Sequence, residues 1–541
     1  MKPVTRVRAL LLGALCGAAL TVSAAAYSDV PAGHWAAQNI ADASAAGFLS
    51  GYTDGTFGLG KTLTRAEFAS MLTRLMGWPA EGAGDAFSDV PADAWYADAV
   101  NTVYRNGAVD RGAFRPQANI TREEMAVMLV RALGYTGKAE AFSDLELPFA
   151  DVSSHRSYIA MAYDFGIIAG KSDTRFDPDG SAAREEAAAM MMRLYDRYTA
   201  KLDWTHYFYA ISSWNQRELG KGSDISFGWA RLDCTDGAVR VNTTSENGNT
   251  WRVPDGYADA VNYYAGSARN LAVQMTDLAT ENAILTSDAN RKAAAGQIVQ
   301  AMDALGLDGV TIDFEGMKGA ALRDGLTVFL TDLRAALGDR PLYVCVHPVL
   351  KHGGAYFDAY DYRAIGDVAD KVILMAHDYA AAAMDDASMA GGFTTTPVTP
   401  FDEVYHALKC ITDKETGVRD PDKIALAISP ASTAAWRVED GKVTNRTALH
   451  PAMDTLTARL KQPDTSVHWS SDYDSAFASY QDDDGKQIVV WYETAQSTTA
   501  KIELARMFGV NGLSVWRLGS IPDNAATGRS IPAAISVQQA R

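Results

Sequence analysis

The stretch Asp308-Gly309-Val310-Thr311-Ile312-Asp313-Phe314-Glu315-Gly316 decides how this chain is read. Its apolar and polar residues alternate with the period of two expected of a β-strand. Val310, Ile312 and Phe314 share one face, while Thr311, Asp313 and Glu315 share the other. Two carboxyls side by side on a largely apolar strand cost folding free energy unless they have partners or a task. Near the strand end, with Asp313 and Glu315 about 6–7 Å apart along the backbone, the pair suits acid/base chemistry.

Working outward, short apolar runs recur at residues 206–212, 224–232, 270–277, 309–316, 341–348, 371–379, 423–430 and 512–519, with helical stretches between them. Eight strand-like runs alternating with helices predict a closed (β/α)8 TIM barrel over residues 202–525, an α/β fold whose chemistry sits at the carboxyl ends of its strands. An open wound sheet fits eight parallel candidates less well. The long interval between the seventh and eighth runs predicts an inserted lobe at about 431–495, with a strand at 487–491. Residues 498–508 read as the helix before the last strand, and 526–541 as a C-terminal tail.

The fourth run resembles glycoside hydrolase family 18, whose fourth strand carries Asp-Gly-x-Asp-x-Asp-x-Glu. Met375-Ala376-His377-Asp378 is similar to the family's Met-x-Tyr-Asp on the sixth strand, and Trp516 falls where the family places the aromatic floor of its sugar site. The segments Val490-Trp491-Tyr492-Glu493 and Ala500-Lys501, together with Trp516, resemble the spore-germination and cortex-lytic branch. The likeness spans roughly residues 202 to 522. It implies a glycosidase of the substrate-assisted kind, in which the sugar's own N-acetyl oxygen is the nucleophile. Glu315 would be the general acid and later the base, and Asp313 would orient the acetamide. Asp378, His377, Trp516, Met375, Thr311 and Tyr209 would contact substrate. No metal ion and no cofactor are required.

The chain departs from that pattern in three places. Thr311 stands where the family has its middle aspartate, which predicts that Asp313 ionises more easily and bonds the Thr311 hydroxyl. His377 replaces a tyrosine and brings a group that titrates near neutral pH. Ala272-Val273-Gln274-Met275-Thr276 lacks the Ser-x-Gly-Gly of typical chitinases. His347 and His352 lack a placed carboxylate partner, so they are read as structural rather than metal-binding.

Before residue 200 the chain repeats itself. Tyr27-Ser28-Asp29-Val30 recurs as Phe87-Ser88-Asp89-Val90 and Phe142-Ser143-Asp144-Leu145, with Phe149-Ala150-Asp151-Val152 a rival third opening. Each unit ends in a helix beginning Thr64-Arg65-Ala66-Glu67, Thr121-Arg122-Glu123-Glu124 or Ala183-Arg184-Glu185-Glu186, a good helix start in the first two. These units resemble surface-layer homology (SLH) domains, at 27–80, 84–138 and 141–198. That resemblance implies an all-α three-repeat bundle that binds a secondary cell-wall polymer. Arg65, Arg122 and Arg184 match the family's ligand arginine, a planar cation suited to an anionic sugar. Ala183 in place of threonine weakens the third unit.

Compartment follows from the start of the chain. Lys2, Arg6 and Arg8, an apolar run to Val22 and a small-residue site at Ser23-Ala24-Ala25-Ala26 predict a secretory signal over 1–26. Leu15 before Cys16 does not suit a lipoprotein signal. No later stretch is long enough to span a membrane. A net charge of -17 argues against nucleic-acid binding. Cys234, Cys345 and Cys410, an odd set without a close pair, argue against a disulfide framework.

The sequence therefore predicts a secreted hydrolase held at a Gram-positive-type cell wall. It would cleave β-linked N-acetylglucosamine polymers with retention, peptidoglycan first. A chitinase-like or N-glycan-directed endoglycosidase is the enzymatic alternative. A carbohydrate-binding surface-layer protein without turnover is the alternative from another class.

Overall fold

A computed structural model describes residues 27–541 apart from 83, 85, 143, 212, 352–356 and 381–382. The export signal expected at 1–26, Cys16 and His352 lie outside the described residues. The chain forms two compact units. One holds residues up to Gly134 together with Arg175–Arg193, and the other holds Tyr135–Thr174 together with Leu194–Arg541.

In the first unit the helices Arg65–Leu75 and Arg122–Ala132 start where the sequence places them. Thr64 and Thr121 close capping boxes with Glu67 and Glu124, each cap worth about 1 kcal/mol. Ala183 has no hydroxyl to offer, so only half of the box survives, in the Ala183 N–H donating to Glu186 at 3.0 Å. Asp29 and Asp89 of the Ser-Asp-Val openings accept loop N–H groups from Phe57, Gly58 and Leu59, and from Phe114 and Arg115. The repeated aspartate thus fastens the loop of its own unit.

The three repeat arginines are buried and link the repeats in a cycle. Arg65 Nε donates to the Phe114 carbonyl at 2.7 Å, Arg122 Nε to Phe176 at 2.9 Å, and Arg184 Nε to Phe57 at 2.9 Å. Their Nη1 atoms lie 2.6 Å from Glu124, 4.0 Å from Glu186 and 3.3 Å from Glu67. The capping glutamate of one repeat therefore also neutralises the arginine of another. Isolated β-bridges at Thr62–Ala183, Thr64–Asn119 and Thr121–Ser181 follow the same cycle.

The second unit is a barrel. Its parallel strands are β1 (Trp204–Tyr209), β2 (Asp224–Thr235), β4 (Arg269–Met275), β5 (Gly309–Phe314), β6 (Leu342–Val346), β7 (Lys371–Leu374), β8 (Ile424–Ile428) and β14 (Gly512–Val515). β3 (Ala238–Asn242) is an antiparallel extension of β2. The order β1-β14-β8-β7-β6-β5-β4-β2, closed by β1 on β2, leaves no edge among the eight. Every predicted run overlaps one of these strands. Gly309 is required at the foot of β5, where a Cβ would meet the Pro341 carbonyl at 2.5 Å.

Between β8 and β14 lies a five-stranded antiparallel sheet. It is built from β9 (Thr433–Glu439), β10 (Lys442–Val443), β11 (Ser466–Ser470), β12 (Ser475–Gln481) and β13 (Gln487–Tyr492). Trp436 and Trp491 pack on one face with Met384 and Val398, while Val490 and Tyr492 pack on the other with Leu456. The helix Ala495–Met507 then returns the chain to β14.

Residues 135–174 belong to this unit through an aromatic seam. Phe142 and Phe165 meet Tyr405 at 5.5 and 5.9 Å, and Phe165 meets Phe508 at 5.2 Å. Tyr405 donates to Asp164 at 2.7 Å, and Lys138 pairs with Asp474 at 3.0 Å. The third repeat is therefore divided between the two units, with no linker isolating it from the barrel chain.

Candidate active site

Inward-facing residues fill the barrel in layers, as period-two strands must. The middle layer is polar and neutral. His206 Nδ1 lies 2.8 Å from Ser514 Oγ and its Nε2 2.6 Å from Ser226 Oγ, which reaches Thr311 Oγ1 at 2.6 Å. Asn270 Nδ2 donates to Thr311 at 3.2 Å. Burial pushes His206 down to about 3, so the ring stays uncharged. Thr311 fits here because an additional buried aspartate would face this network without a counter-charge.

That arrangement corrects one expectation. The Thr311 hydroxyl serves Ser226 and Asn270, not Asp313. Asp313 is buried with an Oδ1 that has no hydrogen-bond partner. Burial, and then the charge of Glu315, push its carboxyl well above the usual range, only partly offset by the Cys345 thiol. Removing the family's middle aspartate has not made Asp313 easy to ionise.

Asp313 lies beside Gln274 in the β4–β5 register, and Glu315 follows at the strand end, its N–H bonded to the Met275 carbonyl at 2.8 Å. Asp313, Gln274, Phe208, Trp251 and Trp516 line one recess. Trp516 is half-buried, 5.0 Å from the Phe208 ring and 5.6 Å from Trp251. Met375 packs beneath with Phe208 and Cys345. The recess thus joins an acid to an apolar aromatic floor.

Asp378, exposed at the end of the β7 segment, takes a left-handed backbone with φ 59°. Its carboxylate accepts from Ser432 Oγ and pairs with His377 Nδ1 at 2.8 Å. Against the desolvation of its site, these bonds hold its carboxyl below the usual range. Asp378 and His377 form a hydrogen-bonded group of their own past the end of β7, and neither lines the recess.

Tyr209 requires a second correction. Trp204, His206 and Phe208 form the inward row of β1, so Tyr209 faces outward. It is buried against Phe227, Trp229 and Tyr264 at 5.2, 5.9 and 6.2 Å. A sugar in the recess cannot reach it.

Residues 277–520 match the model for glycosyl hydrolases family 18, and 26–69, 86–126 and 148–188 match the S-layer homology domain. The chain carries three SLH domains and a family 18 domain. The third SLH match starts at 148, which selects the Phe149-Ala150-Asp151-Val152 opening. The family 18 match begins after β4, so the first three barrel strands lie upstream of it.

The chain is 34% identical over 170 residues to an amylopullulanase of Thermoanaerobacterium thermosulfurigenes, covering 30% of this chain and 9% of that protein. It is 27% identical over 243 residues to YdhD of Bacillus subtilis, provisionally named a sporulation-specific glycosylase, covering 43% of this chain and 52% of that protein. The chain therefore spans about half or less of the length of these relatives. A solved C-terminal domain from Desulfitobacterium hafniense DCB-2, provisionally named a chitinase, superposes with a TM-score of 0.51 at 21% identity. That superposition covers 63% of this chain and all of the other, a likeness of fold.

Sequence reading missed several groups beside the family 18 acids. His347 Nε2 stands 3.6 Å from Glu315 Oε2. Glu281 is fully buried with both carboxyl oxygens unpartnered, pushed up to about 7 by burial and then by the charges of Asp277 and Glu315. Tyr360 donates to the Phe314 carbonyl at 2.7 Å. In the SLH repeats, Trp35 and Trp95 occupy equivalent positions and are 59% and 67% exposed, a repeated signal the sequence did show.

Proposed function

We propose that this is an exported, wall-anchored glycoside hydrolase that cleaves β-linked N-acetylglucosamine polymers with retention, peptidoglycan first. One observation carries the reading: Asp313 lines a recess together with Trp516, and Glu315 follows two residues on at the end of the same strand, within a segment matching family 18. Glu315 protonates the leaving oxygen and then activates water. Asp313 orients the acetamide N–H while the acetamide oxygen attacks, and it balances the positive oxazolinium. Trp516 supplies the platform, with Met375 and Thr311 shaping the floor below. Asp378, held by His377 and Ser432, bonds the distorted sugar in this reading.

The SLH repeats would bring the enzyme to its polymer. An all-α bundle of three repeats presents Trp35 and Trp95 to the wall sugar, while Arg65, Arg122 and Arg184, buried between repeats, hold the bundle together. The sheet of β9 to β13 serves as the lobe inserted before the last barrel strand. The match to a protein named a sporulation-specific glycosylase supports a glycosidic substrate.

A binding protein without turnover is the second reading, favoured by the pairing of Asp378 with its own neighbours. The test incubates the full chain and Glu315→Gln with cell-wall sacculi and with N-acetylglucosamine oligomers. Release of new reducing ends by the wild type alone supports hydrolysis. Equal release by both proteins contradicts it. For the anchor, Trp35→Ala/Trp95→Ala should reduce retention on sacculi, a cleaner test than deletion because residues 135–174 pack with the barrel.

A further inference from the structure

Glu315 stands among acids. Asp313 lies on its own strand and Cys345 on β6, while Glu281 comes from the helix Leu278–Leu285 and Tyr360 from the loop before the helix Tyr362–Val368. Among the described residues, His347 is a basic side chain that reaches it, with Nε2 3.6 Å from Glu315 Oε2. Continuing β6 past its last residue, Tyr343, Cys345 and His347 alternate inward, which sets Cys345 beside Asp313 and His347 beside Glu315.

Two further facts make this pairing more than proximity. The Nε2 atom is buried and has no hydrogen-bond partner among the described residues, a state that native proteins rarely leave without a use. The ring is also held in place: it stacks on Phe357 at 4.3 Å, and the His347 carbonyl accepts from Tyr362 at 2.6 Å. A separation of 3.6 Å exceeds a normal N–H···O bond, and a shift of about half an ångström would close it.

We infer that His347 is a positioning residue for Glu315, donating its Nε2–H to the carboxylate each time Glu315 has lost its proton. The inference rests on the reading of Glu315 as the acid/base. The Glu315 proton passes to the leaving oxygen as the glycosidic bond breaks, and the new carboxylate takes the His347 hydrogen bond. In the second half-reaction Glu315 regains a proton from the attacking water, and the bond lengthens. His347 itself neither gains nor loses a proton. A bond to the charged form favours that form, so it helps Glu315 give up its proton to the leaving oxygen.

Steady-state kinetics of the full chain on an N-acetylglucosamine oligomer, across pH, test this. His347→Ala should lower kcat by about tenfold, leave KM within about twofold, and move the alkaline limb of kcat up by about 0.5–1 pH unit. His347→Gln keeps an N–H donor and should restore most of kcat and the position of the limb. If the alanine variant does not fold, His347→Leu is read in its place. An unmoved limb with wild-type kcat in the apolar variant overturns the inference, as does an equal loss in the glutamine variant with an intact circular dichroism spectrum. Glu315→Gln separates the two levels. If it is inactive while His347→Ala behaves as wild type, only the role of His347 falls; if it is fully active, the reading of Glu315 falls as well.

Discussion

The arginines of the SLH repeats and the acids of the barrel mouth are both charged groups withdrawn from water, and the fold treats them in opposite ways. Each arginine finds a carbonyl and a carboxylate in another repeat. At the barrel mouth, Asp313 Oδ1, His347 Nε2 and both oxygens of Glu281 have no hydrogen-bond partner. Mutual satisfaction makes a scaffold, whereas unmet polar groups facing a recess leave bonding capacity for something that arrives.

Four substitutions would break or sharpen that contrast. The largest effect belongs to Glu315→Gln, which should cost about 10³-fold in kcat on an N-acetylglucosamine oligomer while the unfolding curve stays unchanged. Next comes Asp313→Asn. It keeps the shape, removes the carboxyl that can ionise against the oxazolinium as that cation forms, and should lower kcat by about 10²-fold. In the scaffold the reverse holds. Arg65→Ala should destabilise the repeats by about 2–3 kcal/mol in urea unfolding and leave turnover of a soluble oligomer intact. The value sits below that of a fully buried pair because Glu124 keeps Arg115 at 2.6 Å.

The smallest effect is in the pH dependence of stability. Glu281 has a folded value of about 7 against 4.5 for the free side chain, raised by burial first. A raised acid favours the fold below its unfolded value and costs stability as pH climbs from about 4.5 to about 7. Glu281→Gln should therefore gain about 2 kcal/mol at pH 8 and almost nothing at pH 4. An equal gain at both values would show that Glu281 is not held protonated.

Much of this was legible in the sequence, for reasons that can be named. The eight runs formed barrel strands because each is apolar enough to be buried on both sides, and strand parity alone placed Asp313 and Glu315 on one face. Parity also excludes Tyr209, since Phe208 is the inward residue of β1; the row simply had to be anchored on the correct neighbour. His347 and Glu281 were hidden because their importance lies in contacts between elements far apart in the chain. The arginine cycle was hidden likewise, since Arg184 reaches Phe57 across 127 residues. Thr311 looked like a loss of charge in the one-dimensional motif, and only the His206–Ser226–Asn270 network explains why a neutral hydroxyl belongs there.

The central claim is tested most directly by the anomer released in the first turnovers. Proton NMR of a fresh digest of an N-acetylglucosamine oligomer by the full chain should show the new reducing end appearing as the β-anomer before mutarotation, with no signal from Glu315→Gln. First appearance of the α-anomer, or product from both proteins alike, would contradict the roles assigned to Asp313 and Glu315.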